Sequence, residues 1–200
     1  PTTLSEFEAV CETLLENGIT PIATGFSEQW VIRRYSDIYV DVACVSEDPD
    51  WFVDKMNLSS SFSDDQKFKD AISMFMSYKK YWDSDAFGTK QTDALNEVAS
   101  GKAAIVINRT WTIDGLLAIN PDLNIGAFAL PTSEDPSGAI MEMKPGNSFC
   151  VYNSEDEDLL AAAKDFFTFM CSQDSAEYYA LNAHSIPGST IDVETIKPLK

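Results

Sequence analysis

Gly101-Lys102-Ala103-Ala104-Ile105-Val106-Ile107-Asn108-Arg109-Thr110-Trp111 is the stretch on which the fold turns. Ala103 to Ile107 form an unbroken apolar run of strand length, bounded by Gly101-Lys102 and by Asn108. Such a run, without polar alternation, is how a strand covered on both faces reads. Ala94, Leu95, Val98 and Ala99 form the apolar face of a short helix before it, and Gly101 stops that helix. A tight Asn108-Arg109-Thr110 connection then leads into a further helix, expected from about Trp111 to Ala118. Helix, strand, helix is the repeating unit of an α/β fold.

The same alternation extends in both directions. Thr3-Leu4-Ser5-Glu6 reads as a capping box, with Thr3 as N-cap and Glu6 reaching back. Leu4, Phe7, Val10, Cys11, Leu14 and Leu15 follow at helical spacing, and Gly18 supplies the left-handed stop. Thr20 to Ala23 is a short strand that Gly25 breaks. A second helix is expected from about Ser27 to Cys44, ended by Glu47-Asp48-Pro49-Asp50, and Asn57 to Asp65 reads as a polar loop. Phe68 to Trp82 mark a third helix. Asn124 to Leu130 and Phe149 to Tyr152 are expected strands. Asn153-Ser154 is expected to cap a long helix over about 155–171, with a last helix near Ser175 to Asn182. The fold class is therefore α/β, a partly parallel, mixed sheet flanked by helices.

Composition limits what such a fold can do. The 200 residues are 44% hydrophobic and 12% aromatic, enough for a real core. Lys and Arg number 14 against 32 Asp and Glu, a formal charge of −18. A surface this acidic repels phosphate backbones and anionic lipid, so nucleic acid and membrane surfaces are not expected partners. No apolar run approaches the roughly 20 residues of a membrane span. Pro1 in place of Met, at the very start of a helix signal, reads as the beginning of a fragment of something longer.

No catalytic or metal template fits. Gly101-Lys102 has Asn96 where a phosphate loop needs glycine and Ala103 where it needs Ser or Thr. Asp83-Ser84-Asp85-Ala86-Phe87-Gly88 opens like a calcium loop, but Phe87 and Ala94 stand where oxygen ligands are required. Cys11, Cys44, Cys150 and Cys171 are widely spaced and His184 is the single histidine, so no zinc set forms and the cysteines read as packing residues. No G-x-S-x-G elbow is present. A glycoside hydrolase fragment using two of the many carboxylates is the alternative enzymatic reading. Trp111 carries the sharper signal. It lies just past the carboxyl end of a strand, where open α/β sheets bind ligands. An indole there suits the apolar face of a pyranose ring, and Asn108 and Arg109 could hydrogen-bond its hydroxyls. Pro145-Gly146-Asn147-Ser148 is a turn whose glycine admits close approach of backbone to a ligand.

The ordered set of segments resembles the family 1 extracellular solute-binding proteins, the maltose-binding type that serve carbohydrate ABC importers. Pro1-Thr2-Thr3-Leu4-Ser5-Glu6-Phe7, Gly18-Ile19-Thr20-Pro21-Ile22-Ala23 and Trp30 are similar to the family's P-T-W-x-E-F … G-x-T-P-I-A … W. Gly101 to Trp111 resembles G-K-A-A-M-x-x-x-G-x-W, and Gly126 to Pro131 resembles G-x-F-P-L-P. Gly146 to Val151, the helix to Ser172 and Ile186-Pro187 match the closing region. Arg109 replaces the family's glycine, and Leu4 its early tryptophan.

The resemblance implies a periplasmic-binding-protein-like (type II) lobe and non-catalytic capture of a sugar or oligosaccharide in a cleft between two lobes. Trp111, Asn108, Arg109, Gly146, Asn147 and Trp30 would be ligand-binding, with no catalytic residue, metal or cofactor. It implies residues 1–131 as second lobe, 132–145 as crossover, 146–175 as a segment of the first lobe and 176–200 as the return. The implied partners are a small carbohydrate and an ABC transporter permease. The intact protein would be a monomer, while the fragment could self-associate. The implied location is extracellular or on the cell surface as a lipoprotein, periplasmic in a Gram-negative cell.

Overall fold

The computed structural model describes residues 1–140 and 149–182. These form two compact units: one comprises 1–109 with 115–140, the other 110–114 with 149–182.

The first unit is built on two successive helix-to-strand pieces made in the same way. Helix α1 (Leu4–Glu16) starts on Thr3, whose hydroxyl accepts the Glu6 N–H at 3.2 Å. Glu6 reaches one residue further back than a capping box requires: its carboxylate accepts the Thr2 N–H at 2.8 Å. That bond holds its carboxyl below the usual range. Gly18, at φ +72°, ends the helix in a Schellman motif. The Ile19 N–H donates to Leu14 C=O and the Gly18 N–H to Leu15 C=O. Strand β1 (Thr20–Ala23) follows directly. Helix α5 (Gln91–Ala99) ends identically on Gly101, φ +74°, with Lys102 N–H on Glu97 C=O and Gly101 N–H on Val98 C=O. Strand β2 (Ala103–Val106) then runs parallel to β1, in the register Thr20↔Ala103, Ile22↔Ile105 and Ala23↔Val106.

Between these pieces lie α2 (Gln29–Val40), a π-helical turn at Asp41–Val45, α3 (Trp51–Met56) and α4 (Gln66–Ser77). A 3-10 turn, Tyr78–Tyr81, follows. Trp82 then forms a parallel bridge to Ile22, so β1 has neighbours on both sides. The core gathers around it. Phe7 and Cys11 of α1, Ile22, Val31, Tyr35 and Tyr39 of α2, Phe75 of α4, Tyr81 and Trp82 are all buried. Each such large apolar side chain stabilises the fold by about 2–3 kcal/mol. A smaller cluster packs Leu95 and Ala99 against Leu116 of α6 (Thr112–Ile119), with Leu123 and Ile125 beside it.

Several expectations are corrected. β2 is not covered on both faces: Ala104 is exposed, whereas Ala103 and Ile107 on the other face are buried. The second helix closes at Val40 and passes through the π turn before its end, and α3 falls in a stretch without a sequence signal. Residues 124–130 form no strand. Leu130 is buried and Ile125 packs beside the smaller cluster, while Ala127 and Phe128 are exposed, and no strand edge pairs with their backbone.

In the second unit, α7 (Glu157–Met170) starts on Asp156, not on Asn153-Ser154. The Asp156 carboxylate accepts both the Asp158 and Leu159 N–H at 3.1 Å. A tight turn leads to α8 (Gln173–Asn182), where the Ser175 hydroxyl donates to Phe169 C=O at 2.8 Å. Residues 149–152 form no strand with any of the described residues, and Phe149 and Tyr152 are largely exposed. All four cysteines are free thiols. Cys11 and Cys44 are buried as packing residues, and burial raises both thiols' pKa, that of Cys11 to about 11. Cys150 and Cys171 are exposed, so the packing reading fails for these two.

Candidate functional site

Because β1, β2 and the Trp82 position run parallel, three connections leave the same end of the sheet. They are 24–28 after β1, 83–89 after Trp82, and 107–111 after β2. The carboxyl end of a parallel sheet is where such folds place ligands.

The three strand ends are locked together by buried polar contacts. The Tyr35 hydroxyl donates to Ala23 C=O and accepts the Ile107 N–H at 3.0 Å, joining the ends of β1 and β2. Burial pushes that phenol far above its ordinary pKa, so it remains a neutral donor. Asp83 joins the other pair. One carboxylate oxygen accepts the Thr24 N–H at 3.0 Å and the Thr24 hydroxyl, the other the Thr89 hydroxyl at 3.0 Å. The Phe26 N–H donates to Ala86 C=O and the Ser27 N–H to Thr89 C=O. Glu28 accepts the Gln91 N–H at 2.8 Å. Gly25, at φ +83°, allows this closeness: a Cβ there would stand 2.9 Å from Gln91 Cα.

Asn108, Arg109 and Trp111 follow β2 on one connection. Trp111 is 41% exposed. Arg109 is half-buried and makes no ion pair among the described residues. The Asn108 side-chain oxygen accepts the Arg109 N–H at 2.8 Å, which fixes the turn. Its Nδ2 is sealed from solvent and meets no hydrogen-bond partner among the described residues, and the same is true of the Thr112 hydroxyl. Buried polar atoms of this kind cost about 1–3 kcal/mol each, and two within five residues mark this connection as locally unsatisfied.

Trp30 leaves the neighbouring strand. It lies in the first turn of α2, its indole N–H donating to Glu28 at 3.3 Å. It lines an open groove of about 620 Å³ between α2 and α4, with Gln29, Arg33, Ser36, Ile72, Phe75 and Met76. Asn108 and Arg109 are not among the residues that line this groove. A second groove, about 500 Å³, lies by Glu97, Lys102 and Asn120, at the opposite end of β2. Gly146 and Asn147 lie outside the described residues, as does His184. No metal-binding cluster of His, Cys, Asp or Glu occurs among the described residues. Nor is any helix there long and apolar enough to cross a membrane.

The residues that sequence reasoning passed over are the positioning ones, Tyr35, Asp83 and Glu28. No motif marks Tyr35 or Glu28, and Asp83 draws notice only as the opening of a calcium-like loop, because each acts on a backbone group far away along the chain.

A family model of bacterial extracellular solute-binding proteins matches residues 1–196. The chain belongs to that family. An uncharacterised ABC transporter extracellular-binding protein of Pyrococcus horikoshii is 26% identical over 131 residues, 64% of this chain and 29% of its own length. Among solved structures, one from Caldanaerobius polysaccharolyticus, concerned with xylan utilisation, superposes with a TM-score of 0.70 at 24% identity. It covers 100% of this chain and 52% of its own. A chitin oligosaccharide binding protein gives 0.69 at 18% identity, over 94% and 47% of the two chains. The solute-binding protein RafE in complex with raffinose gives 0.67 at 17%, over 98% and 52%. These likenesses establish the α/β solute-binding fold. The chain spans about half the length of these structures and less than a third of the curated relative.

Proposed function

We propose that this chain is part of an extracellular protein that captures a sugar or oligosaccharide and delivers it to an ABC importer, without chemistry. In the intact protein, residues 1–131 would supply one wall of the cleft and 146–175 would belong to the opposite lobe. The observation that carries the reading is the exposed indole of Trp111 just beyond the carboxyl end of β2. Stacking on a pyranose ring uses such a ring face, and the unsatisfied amide of Asn108, three residues earlier in the chain, has a hydrogen bond left to give. Arg109, Asn147, the Gly146 backbone and Trp30 complete the proposed ligand set. Asn108 would have to turn outward to donate, so its contribution belongs to the bound state. The solutes named for the solved relatives, a chitin oligosaccharide and raffinose, and the xylan context of another, support a carbohydrate ligand. The family's character as solute binders supports binding over hydrolysis. It also supports a location outside the cytoplasmic membrane, with lipoprotein anchoring as part of the proposal.

The test is calorimetric titration of the intact protein with a saccharide panel. Trp111→Ala should weaken the saccharide that binds by about 1–3 kcal/mol, the usual cost of removing an aromatic anchor. Unchanged affinity removes Trp111 from the site. Release of chromophore from chromogenic glycosides would instead favour the hydrolase alternative.

A further inference from the structure

Phe87 is an exposed aromatic ring at the sheet end that the proposed ligand set leaves out. It is 57% exposed, on the connection that follows Trp82. Isolated exposed apolar residues are common and mean little. Two features set this one apart. Its ring is backed by buried aromatics: Trp82 lies 6.3 Å away at 76°, and Phe26 lies 5.9 Å away at 53°. Edge contacts of this kind support a ring without covering its faces. Its backbone is also held on both sides. Before it, Ala86 C=O accepts the Phe26 N–H at 2.9 Å; after it, the Gly88 and Thr89 N–H groups donate to Asp85 C=O at 2.8 and 2.9 Å. The Thr89 hydroxyl adds a bond to Asp83 at 3.0 Å. A ring fixed in this way loses little conformational freedom on contact, which is the property of a binding anchor.

We infer that Phe87 is a stacking platform at the sheet end that also carries Asn108, which suits that end to an oligosaccharide rather than a single sugar. This rests on the carbohydrate reading above. The strand order places Trp82, β1 and β2 side by side. The strand positions from which the connections of Phe87 and Asn108 depart are therefore two strand spacings, about 10 Å, apart. One pyranose ring does not cover that span, but a chain of two or three does. The exposed carboxylate of Asp85, on the same turn, can accept hydroxyl hydrogen bonds from the ring lying on Phe87.

Chain length separates this inference from the reading beneath it. The intact protein is titrated by calorimetry with three pairs: xylose and xylotriose, N-acetylglucosamine and chitotriose, galactose and raffinose. The wild type should bind one trisaccharide more tightly than its monosaccharide. Phe87→Ala should lower the trisaccharide affinity about tenfold and leave the monosaccharide affinity unchanged. Phe87→Tyr should restore the loss. Phe87→Leu keeps an apolar side chain against Trp82 and Phe26, so it gives the same comparison should Phe87→Ala fail to fold. Equal losses for both lengths, or no loss for either, overturn the platform while leaving the carbohydrate reading intact. Absence of binding by the wild type to every saccharide overturns both.

Discussion

Tyr35 shows how a single hydroxyl can set the geometry of two strand ends. It satisfies the Ala23 carbonyl and the Ile107 amide, both at the mouth of the sheet. Tyr35→Phe keeps the ring packed against Phe26, at 4.9 Å, yet leaves two buried backbone groups without a partner. The expected cost is about 1–3 kcal/mol, read as a lower denaturation midpoint with an unchanged m-value. An unchanged midpoint would mean that water replaces the phenol. Trp111 stands out in the sequence because of its position after an apolar run. Tyr35 does not, because its two partners lie 12 and 72 residues away and the bonds exist only once β1 and β2 have paired.

At the scale of the element, the parts read correctly were those with local chemistry. Gly18 and Gly101 announce their helix ends because a left-handed residue is needed at each, whatever the rest of the chain does. Residues 124–130 misled for the opposite reason: an apolar run can specify burial without specifying a strand. The 51–68 excursion was also opaque, since its stability comes from a contact between distant residues. Lys55 of α3 is buried and donates to Asp65, the N-cap of α4, at 2.8 Å. Asp65 also accepts the Trp51 indole N–H at 2.6 Å. The Lys55 ammonium lies 5.0 Å from the centre of the Trp51 ring. The hydrogen bonds from Lys55 and Trp51 bring the Asp65 carboxyl down to about 2. Folded pKa below unfolded means that this carboxylate stabilises above about pH 4 and that the gain is lost as pH falls toward 2. Wild-type stability should therefore drop over that window, and Asp65→Asn should flatten this part of the drop. At neutral pH the same variant leaves a buried ammonium unpaired and should cost about 3 kcal/mol. Lys55→Met combined with Asp65→Asn should cost less than the sum of the single changes, as measured by denaturant unfolding.

At the scale of the whole molecule, two opposing forces act on the chain in isolation. No residue of α7 is buried, and Leu159, Phe166, Phe167, Phe169 and Met170 are all exposed on it. An amphipathic helix with so large an uncovered apolar face is built to be covered, which is what the proposed assignment of 146–175 to the opposite lobe requires. In the isolated chain, the same face of a second copy offers an apolar surface that could cover it. The formal charge of −18 opposes such pairing. That repulsion is long-range and falls with ionic strength, whereas apolar contact does not. The isolated chain should therefore run as a monomer on gel filtration at low salt and shift toward dimer as salt and concentration rise. Phe166→Glu with Phe169→Glu should abolish the shift without lowering the midpoint for the first unit, whose core contains none of these side chains. A single monomer peak at every salt and protein concentration would show that the α7 face does not pair with its own kind. Hydrogen exchange then offers an independent measure: α7 amides should be markedly better protected in the intact protein than in this chain alone, and equal protection would count against residues 146–175 having a partner there.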